Sequence, residues 1–294
     1  MIVPHGEPLY YRERPRIAIP PGDVIDLDGR FGLHPALAPL LPWWRSRELA
    51  VVHAVGFADS ALRHGEAQGR LARTLRGARA VPALHRPESA AGIPPPAGAV
   101  YPDGALGRSL AVMARLIRAD VGLTIGRVDV GGWDTHVSQG ATGGRLAARL
   151  AELARGLAAF AGDLGSRMRD VVVVTMSEFG RTVRENGVGG TDHGRATAML
   201  ALGGPVNGGR VLGEWPGLRA FERSAGAGGN GLAVTTDFRD VFGELLVRHL
   251  GAKDLRPAFP GDDVDAARFR GVLRAQPASP PPFAKWSTPP SSGS

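Results

Sequence analysis

The sequence predicts an α/β fold in which one sheet is covered by helices on both faces. Three observations predict it. Short apolar or β-branched runs alternate with longer amphipathic stretches, each run is bounded by glycine or polar residues, and three polar clusters follow the runs. Strands alternating with long helices bury both sides of a sheet. Ligands of such sheets gather beyond the carboxyl ends of the strands.

In chain order, "ELAVVHAVG" (48–56) is the first buried strand. A helix is expected over 60–78, capped by Asp59 or Ser60. Residues 79–105, rich in Pro, Ala and Gly, read as a surface excursion. A helix over 107–119 precedes the strand "GLTIGRVDV" (122–130). The clearest helix carries Leu146, Leu150, Leu153, Leu157, Phe160 and Leu164 on one stripe. Strands follow at "DVVVVTM" (170–176) and "ATAMLALGG" (196–204). The last helix, 237–250, opens with Asp237 as N-cap and Asp240 three positions on, an approximate capping box. Residues 1–274 form one domain, and the Pro/Ser-rich tail 275–294 cannot bury enough surface to fold.

Composition removes several classes of function. With no cysteine, disulfides and thiolate zinc sites are excluded, and a metal must be held by His, Asp or Glu. The formal charge is +7, but the basic residues are nearly all arginine, scattered among acids, with Lys253 and Lys285 the two lysines. That pattern argues against a nucleic-acid face and leaves a mild preference for anionic substrates. No run approaches a membrane span, and the start has no apolar signal region, so the chain as given would be cytoplasmic. No glycine pattern matches a dinucleotide or P-loop site.

The polar clusters carry the chemistry. In "GGWDTH" (131–136), residues two apart in extended chain point the same way, so Asp134 and His136 face one point. A carboxylate with an imidazole is half a site for zinc, manganese or iron. "GGTDHGR" (189–195) supplies a second couple, Asp192 and His193, with flanking glycines that permit close approach. Two such couples at one sheet edge favour a metal site. Glu178 in "SEFGRT" is either a ligand or the partner of Arg181 or Arg184, since an unpaired carboxylate at a strand end is costly to bury. Arg181 can equally grip an anionic substrate group. Ser60 is read as a cap. His64 reaches the site or lies on the surface, His53 is a core histidine, and His34 is open between core and site.

"GGWDTH", "VVVVTMSEFGRTVRENGVGGTDHGRA", "VNGGRVLGEWPGL" and "TTDFRDVFGELLVRHLG", with "VPHGEPLYYRERPRIAIP" and "LGRSLAVMARLIRA", together resemble domain-of-unknown-function family 1501 of the alkaline phosphatase-like superfamily, over residues 3 to 251. The resemblance implies a three-layer α/β/α sandwich with a mostly parallel mixed sheet and metals at its carboxyl edge. It also implies hydrolysis or transfer of phosphate and sulfate esters. Asp134, His136 and His193 would form the first metal site, Glu178 would stand for a strand-end Asp, and Phe179 would replace its His. Family members usually begin with a strand carrying a further metal-ligating Asp, which is absent here, and have Ser-His where this chain has Arg63-His64. The expectation is therefore a hydrolase-like protein with an incomplete two-metal site that holds one ion, acting on an anionic small-molecule or glycan ester. The alternative is a non-catalytic binding protein that retains the fold. Family members are often exported by the twin-arginine route.

Overall fold

The computed structural model describes residues 1–57, 99–177, 179–219, 231–262 and 264–275. The helix expected at 60–78, with Asp59, Ser60, Arg63 and His64, lies outside them. So do Glu178, most of the 79–105 excursion and the tail beyond its first residue.

The chain opens with β1 (Ile2–Val3), α1 (Pro8–Glu13), β2 (Ile25–Asp26), β3 (Gly32–Leu33) and α2 (Leu41–Arg45). The long strand β4 (Leu49–Gly56) follows, then helices α3 (Ala105–Arg118) and α4 (Arg145–Leu164). Next come β5 (Val173–Val174), β6 (Gly180–Arg181), β7 (His193–Gly194), β8 (Thr197–Leu202), β9 (Arg210–Leu212) and β10 (Thr236–Asp237), and helix α5 (Phe238–Arg248) follows β10. Asp237 caps α5 as expected, accepting from the Arg239 backbone N–H. None of the described helices is long and apolar enough to cross a membrane.

The main sheet has the order β10-β4-β8-β5, with β9 also on β4. β9 and β10 run parallel to β4, whereas β8 is antiparallel to both β4 and β5. The sheet is mixed, as expected, but its parallel and antiparallel pairings are equal in number among the described strands rather than mostly parallel. The cause lies between β5 and β8: no crossover helix intervenes, so the chain turns back and pairs antiparallel.

Alternation along β4 gives each face of the sheet its own core. Leu49 and Val51 pack with Leu110, Leu150, Leu157 and Phe160 from α3 and α4. Ala50 and Val52 pack with Phe238 and Val241 of α5 and with Phe259. Gly156 lets these helices close up, because a β-carbon there would lie 3.0 Å from Leu110 Cδ1. A bulge between Val52 and Val55, with Ala54 at φ 53°, puts Val55 on the same side as Val52. β1 and β2 pair antiparallel with β3, and this small sheet shares a third core with Tyr10, Ile19 and Val183.

One expected strand is not part of a ladder. Residues 122–130 pair with no strand among the described residues, although Leu123, Ile125, Val128 and Val130 are half-buried. Apolar patterning decides which side chains are buried, but a ladder needs a neighbouring edge. Here a cavity of about 1400 Å3 lies alongside the segment.

Candidate metal centre

Residues 131–136 leave the unpaired segment at its carboxyl end. Asp134 and His136 turn to one side, and Thr135 between them is buried, sharing Gln139 Oε1 as hydrogen-bond acceptor with Thr191. The hairpin β6–β7 delivers Arg181 and His193, which are paired across it. Its loop is laid on the 135–139 backbone: Ser138 N–H donates to Val188 O (3.1 Å) and Gln139 N–H to Gly189 O (2.8 Å). Gly190 is required at this crossing, since a β-carbon there would collide with the His136 carbonyl.

Three donor atoms converge. Asp134 Oδ1 lies 3.0 Å from His136 Nε2 and 2.9 Å from His193 Nε2, and all three lie within 4.8 Å of one another. Donors bound at about 2.1 Å to a tetrahedral ion sit about 3.4 Å apart, close to this spacing. One carboxylate with two imidazoles suits zinc, manganese or iron. This trio is the one potential metal-holding group among the described residues. Its side chains are between a third and a half exposed, so an ion and a substrate can reach them.

The remaining neighbours hold the donors in place. Asp192 Oδ1 accepts from His136 Nδ1 at 2.8 Å, leaving Nε2 for the Asp134 side. Contacts with His136 and Asn186 keep the Asp192 carboxyl below the usual carboxylate range. Phe179 stacks on His193 with centroids 4.1 Å apart. Arg181 donates through Nε to Thr191 Oγ1 (3.0 Å), through Nη2 to Thr191 O, and through Nη1 to Asp134 Oδ1. Partial burial opposes ionisation of Asp134, but its contacts with Arg181 and His193 prevail and its pKa is lowered.

The family described as "Protein of unknown function (DUF1501)" matches residues 72–225, over half of the chain. The chain belongs to that family. No curated protein and no solved structure matches it.

In this DUF1501 chain, four of the residues singled out from sequence meet at one place: Asp134, His136, His193 and, behind His136, Asp192. Arg181 joins them, paired with Asp134. Glu178 and His64 lie outside the described residues. Arg184 pairs with Glu13 (2.6 Å). His34 is a core histidine: it accepts from Ala36 N–H at Nδ1 and donates to Ala141 O at Nε2. Sequence reasoning missed Asn186, Thr191 and Gln139. Asn186 donates to both His136 O (2.8 Å) and Asp192 Oδ1 (3.1 Å), and accepts from Val188 and Gly190 N–H. The available signal was the Asn-Gly pair at 186–187, which marks a tight loop but not the partner of that loop.

Proposed function

We propose that this protein is a metal-dependent hydrolase of phosphate or sulfate esters, built on an alkaline phosphatase-like α/β/α sandwich and using one divalent ion held by Asp134, His136 and His193. The observation that carries the proposal is the convergence of those three donors, with a carboxylate behind one imidazole. A divalent ion supplies Lewis acidity toward an ester oxygen. Asp192 fixes the ring orientation of His136, as outer carboxylates do for metal-binding histidines. Arg181 has Nε and Nη2 on Thr191 and Nη1 on Asp134, so in this reading it turns its Nη1 arm from Asp134 to an anionic ester group once an ion holds that carboxylate. The substrate class is an anionic small-molecule or glycan ester.

The test is metal content by plasma mass spectrometry, for protein purified without chelators, together with rates on p-nitrophenyl phosphate and p-nitrophenyl sulfate. One bound ion and chelator-sensitive turnover are expected, with both lost in Asp134→Ala/His193→Ala. A double variant that keeps the metal and the rate would sink the proposal. The pairing of Arg181 with Asp134 also favours a second reading, a non-catalytic binder of anionic esters. It requires tight binding with no turnover.

A further inference from the structure

The loop that carries half of the metal centre has little regular structure of its own. β6 and β7 pair over two residues each, so residues 182–192 take their shape from what they touch. One side lies on 135–139, through the Ser138 and Gln139 N–H groups. The other side lies on residues 13–17, where the chain leaves α1.

Arg16 makes most of that second junction. Its guanidinium meets three consecutive residues of the loop: Nε donates to Glu185 Oε1 (2.6 Å), Nη2 to Asn186 O (2.7 Å) and Nη1 to Gly187 O (3.3 Å). Glu185 answers from the loop. Its side chain is 5% exposed, and Oε2 accepts from Arg16 N–H (3.0 Å) and Ile17 N–H (3.1 Å). Glu185 N–H donates to Glu13 O (2.9 Å), and Arg14 donates to Thr182 O (2.8 Å) and Val183 O (2.9 Å).

The middle residue of the three is the one whose side chain organises the donors. Asn186 Nδ2 reaches both His136 O (2.8 Å) and Asp192 Oδ1 (3.1 Å), and Asp192 orients the His136 ring. A short amide side chain bridges two such acceptors only when its own backbone is held in place. Stability alone does not account for Arg16, because its side chain is 55% exposed and exposed ion pairs contribute little. A planar fork of N–H donors fixes the geometry of three successive residues, which a single ammonium cannot do.

We propose that Arg16 is a positioning residue for the metal centre, holding the 185–187 backbone so that Asn186 can lock Asp192 and His136. This role rests on the metal reading, and it makes ion binding and the docking of residues 13–17 two sides of one equilibrium. Such coupling is reciprocal: what Arg16 adds to ion affinity, a bound ion returns to the junction.

The experiment measures zinc affinity of the full chain by competition with a chromophoric chelator, and hydrogen exchange at the Arg16 and Ile17 amides. Arg16→Ala is expected to lower affinity about tenfold, the low end of the range for groups behind metal ligands. Arg16→Lys keeps the charge beside Glu185 and loses the fork, so it should remain folded and lose affinity by a similar factor. Asn186→Ala should weaken zinc at least as much. Arg16→Ala/Asn186→Ala should then cost no more than Asn186→Ala alone, because the effect passes through Asn186. Glu244→Ala, a destabilising change on α5, should leave affinity unchanged. Zinc should slow exchange at the Arg16 and Ile17 amides by up to about tenfold, the same coupling seen from the other end, and should not do so in Asp134→Ala/His193→Ala. An unmutated chain that binds no zinc would overturn the metal reading and this role with it. Zinc binding with unchanged affinity in both Arg16 variants, additive losses in the double variant, or amides 16 and 17 unmoved by zinc would overturn the role of Arg16 alone.

Discussion

His53 shows how a single residue can report on the packing around it. It is 4% exposed, with ring centroids 5.3 Å from Phe31 and 5.2 Å from Trp215, and its Nδ1 has no hydrogen-bond partner among the described residues. Burial pushes its pKa down from 6.5 to about 4. Above pH 6.5 both folded and unfolded forms are neutral and the full stability is present. Between 6.5 and about 4 the unfolded chain takes up a proton that the folded chain refuses, so stability falls as pH falls. The loss approaches about 3 kcal/mol at the lower end. Urea denaturation across this window is expected to show the slope, and His53→Leu to flatten it, leaving smaller contributions from the buried His34 and the half-buried His249, whose pKa values are also lowered. An unchanged slope in the variant would contradict the assignment.

At the scale of elements, the carboxyl-terminal segment is attached to α5 through Glu244. This side chain is fully buried, and its carboxylate accepts from Gly271 N–H (2.8 Å), Leu273 N–H (3.0 Å) and Arg248 Nη1 (3.1 Å). Removing it leaves the buried Leu273 N–H and the half-buried Gly271 N–H unpaired, so Glu244→Ala is expected to cost about 3 kcal/mol. Glu244→Gln should cost less, because its amide oxygen still accepts. Urea unfolding gives the cost, and faster hydrogen exchange at Gly271 and Leu273 would locate it. Nothing in the sequence pointed to this attachment, because its donors are backbone groups 27 and 29 residues from their acceptor. What the sequence does reveal depends on periodicity. The stripe from Leu146 to Leu164 and the run at 48–56 gave α4 and β4 with nearly correct bounds, since each pattern repeats along its element. β1, β2 and β3 have two residues each and no period to read. Residues 122–130 have the pattern of a strand but no partner edge among the described residues, which patterning cannot supply. In the site, Asp134 and His136 were legible from their spacing, whereas Asn186 and Gln139 act through contacts that the folded loop creates.

For the whole molecule, the candidate metal centre is also a clasp. Its donors come from the segment that follows the unpaired 122–130 run and from the β6–β7 hairpin. Between these parts the loop contacts include Asn186 Nδ2 to His136 O (2.8 Å) and a longer bond from Thr191 N–H to Thr135 O (3.3 Å). An ion bound to folded protein and not to the unfolded chain stabilises it by mass action, about 2.7 kcal/mol at a hundredfold excess over its dissociation constant. For a chain of this size that corresponds to a rise in Tm of about 5–10 °C. Thermal scans with increasing zinc should show the rise, and Asp134→Ala/His193→Ala should abolish it. Asp192→Asn retains all three donors but loses the charge behind His136, so zinc affinity should fall about 10- to 100-fold. At a fixed zinc concentration its stabilisation should then drop by about 1.4–2.7 kcal/mol. Hydrogen exchange distinguishes a clasp from uniform stabilisation. In the clasp, added zinc slows amides at 133–139 and 181–193 more than those of α5, which packs on the other face of the sheet. A Tm unmoved by saturating zinc, manganese and iron(II) would remove the metal from this account and leave Asp134, His136, Asp192 and Arg181 as an ion-pair network joining the same two segments.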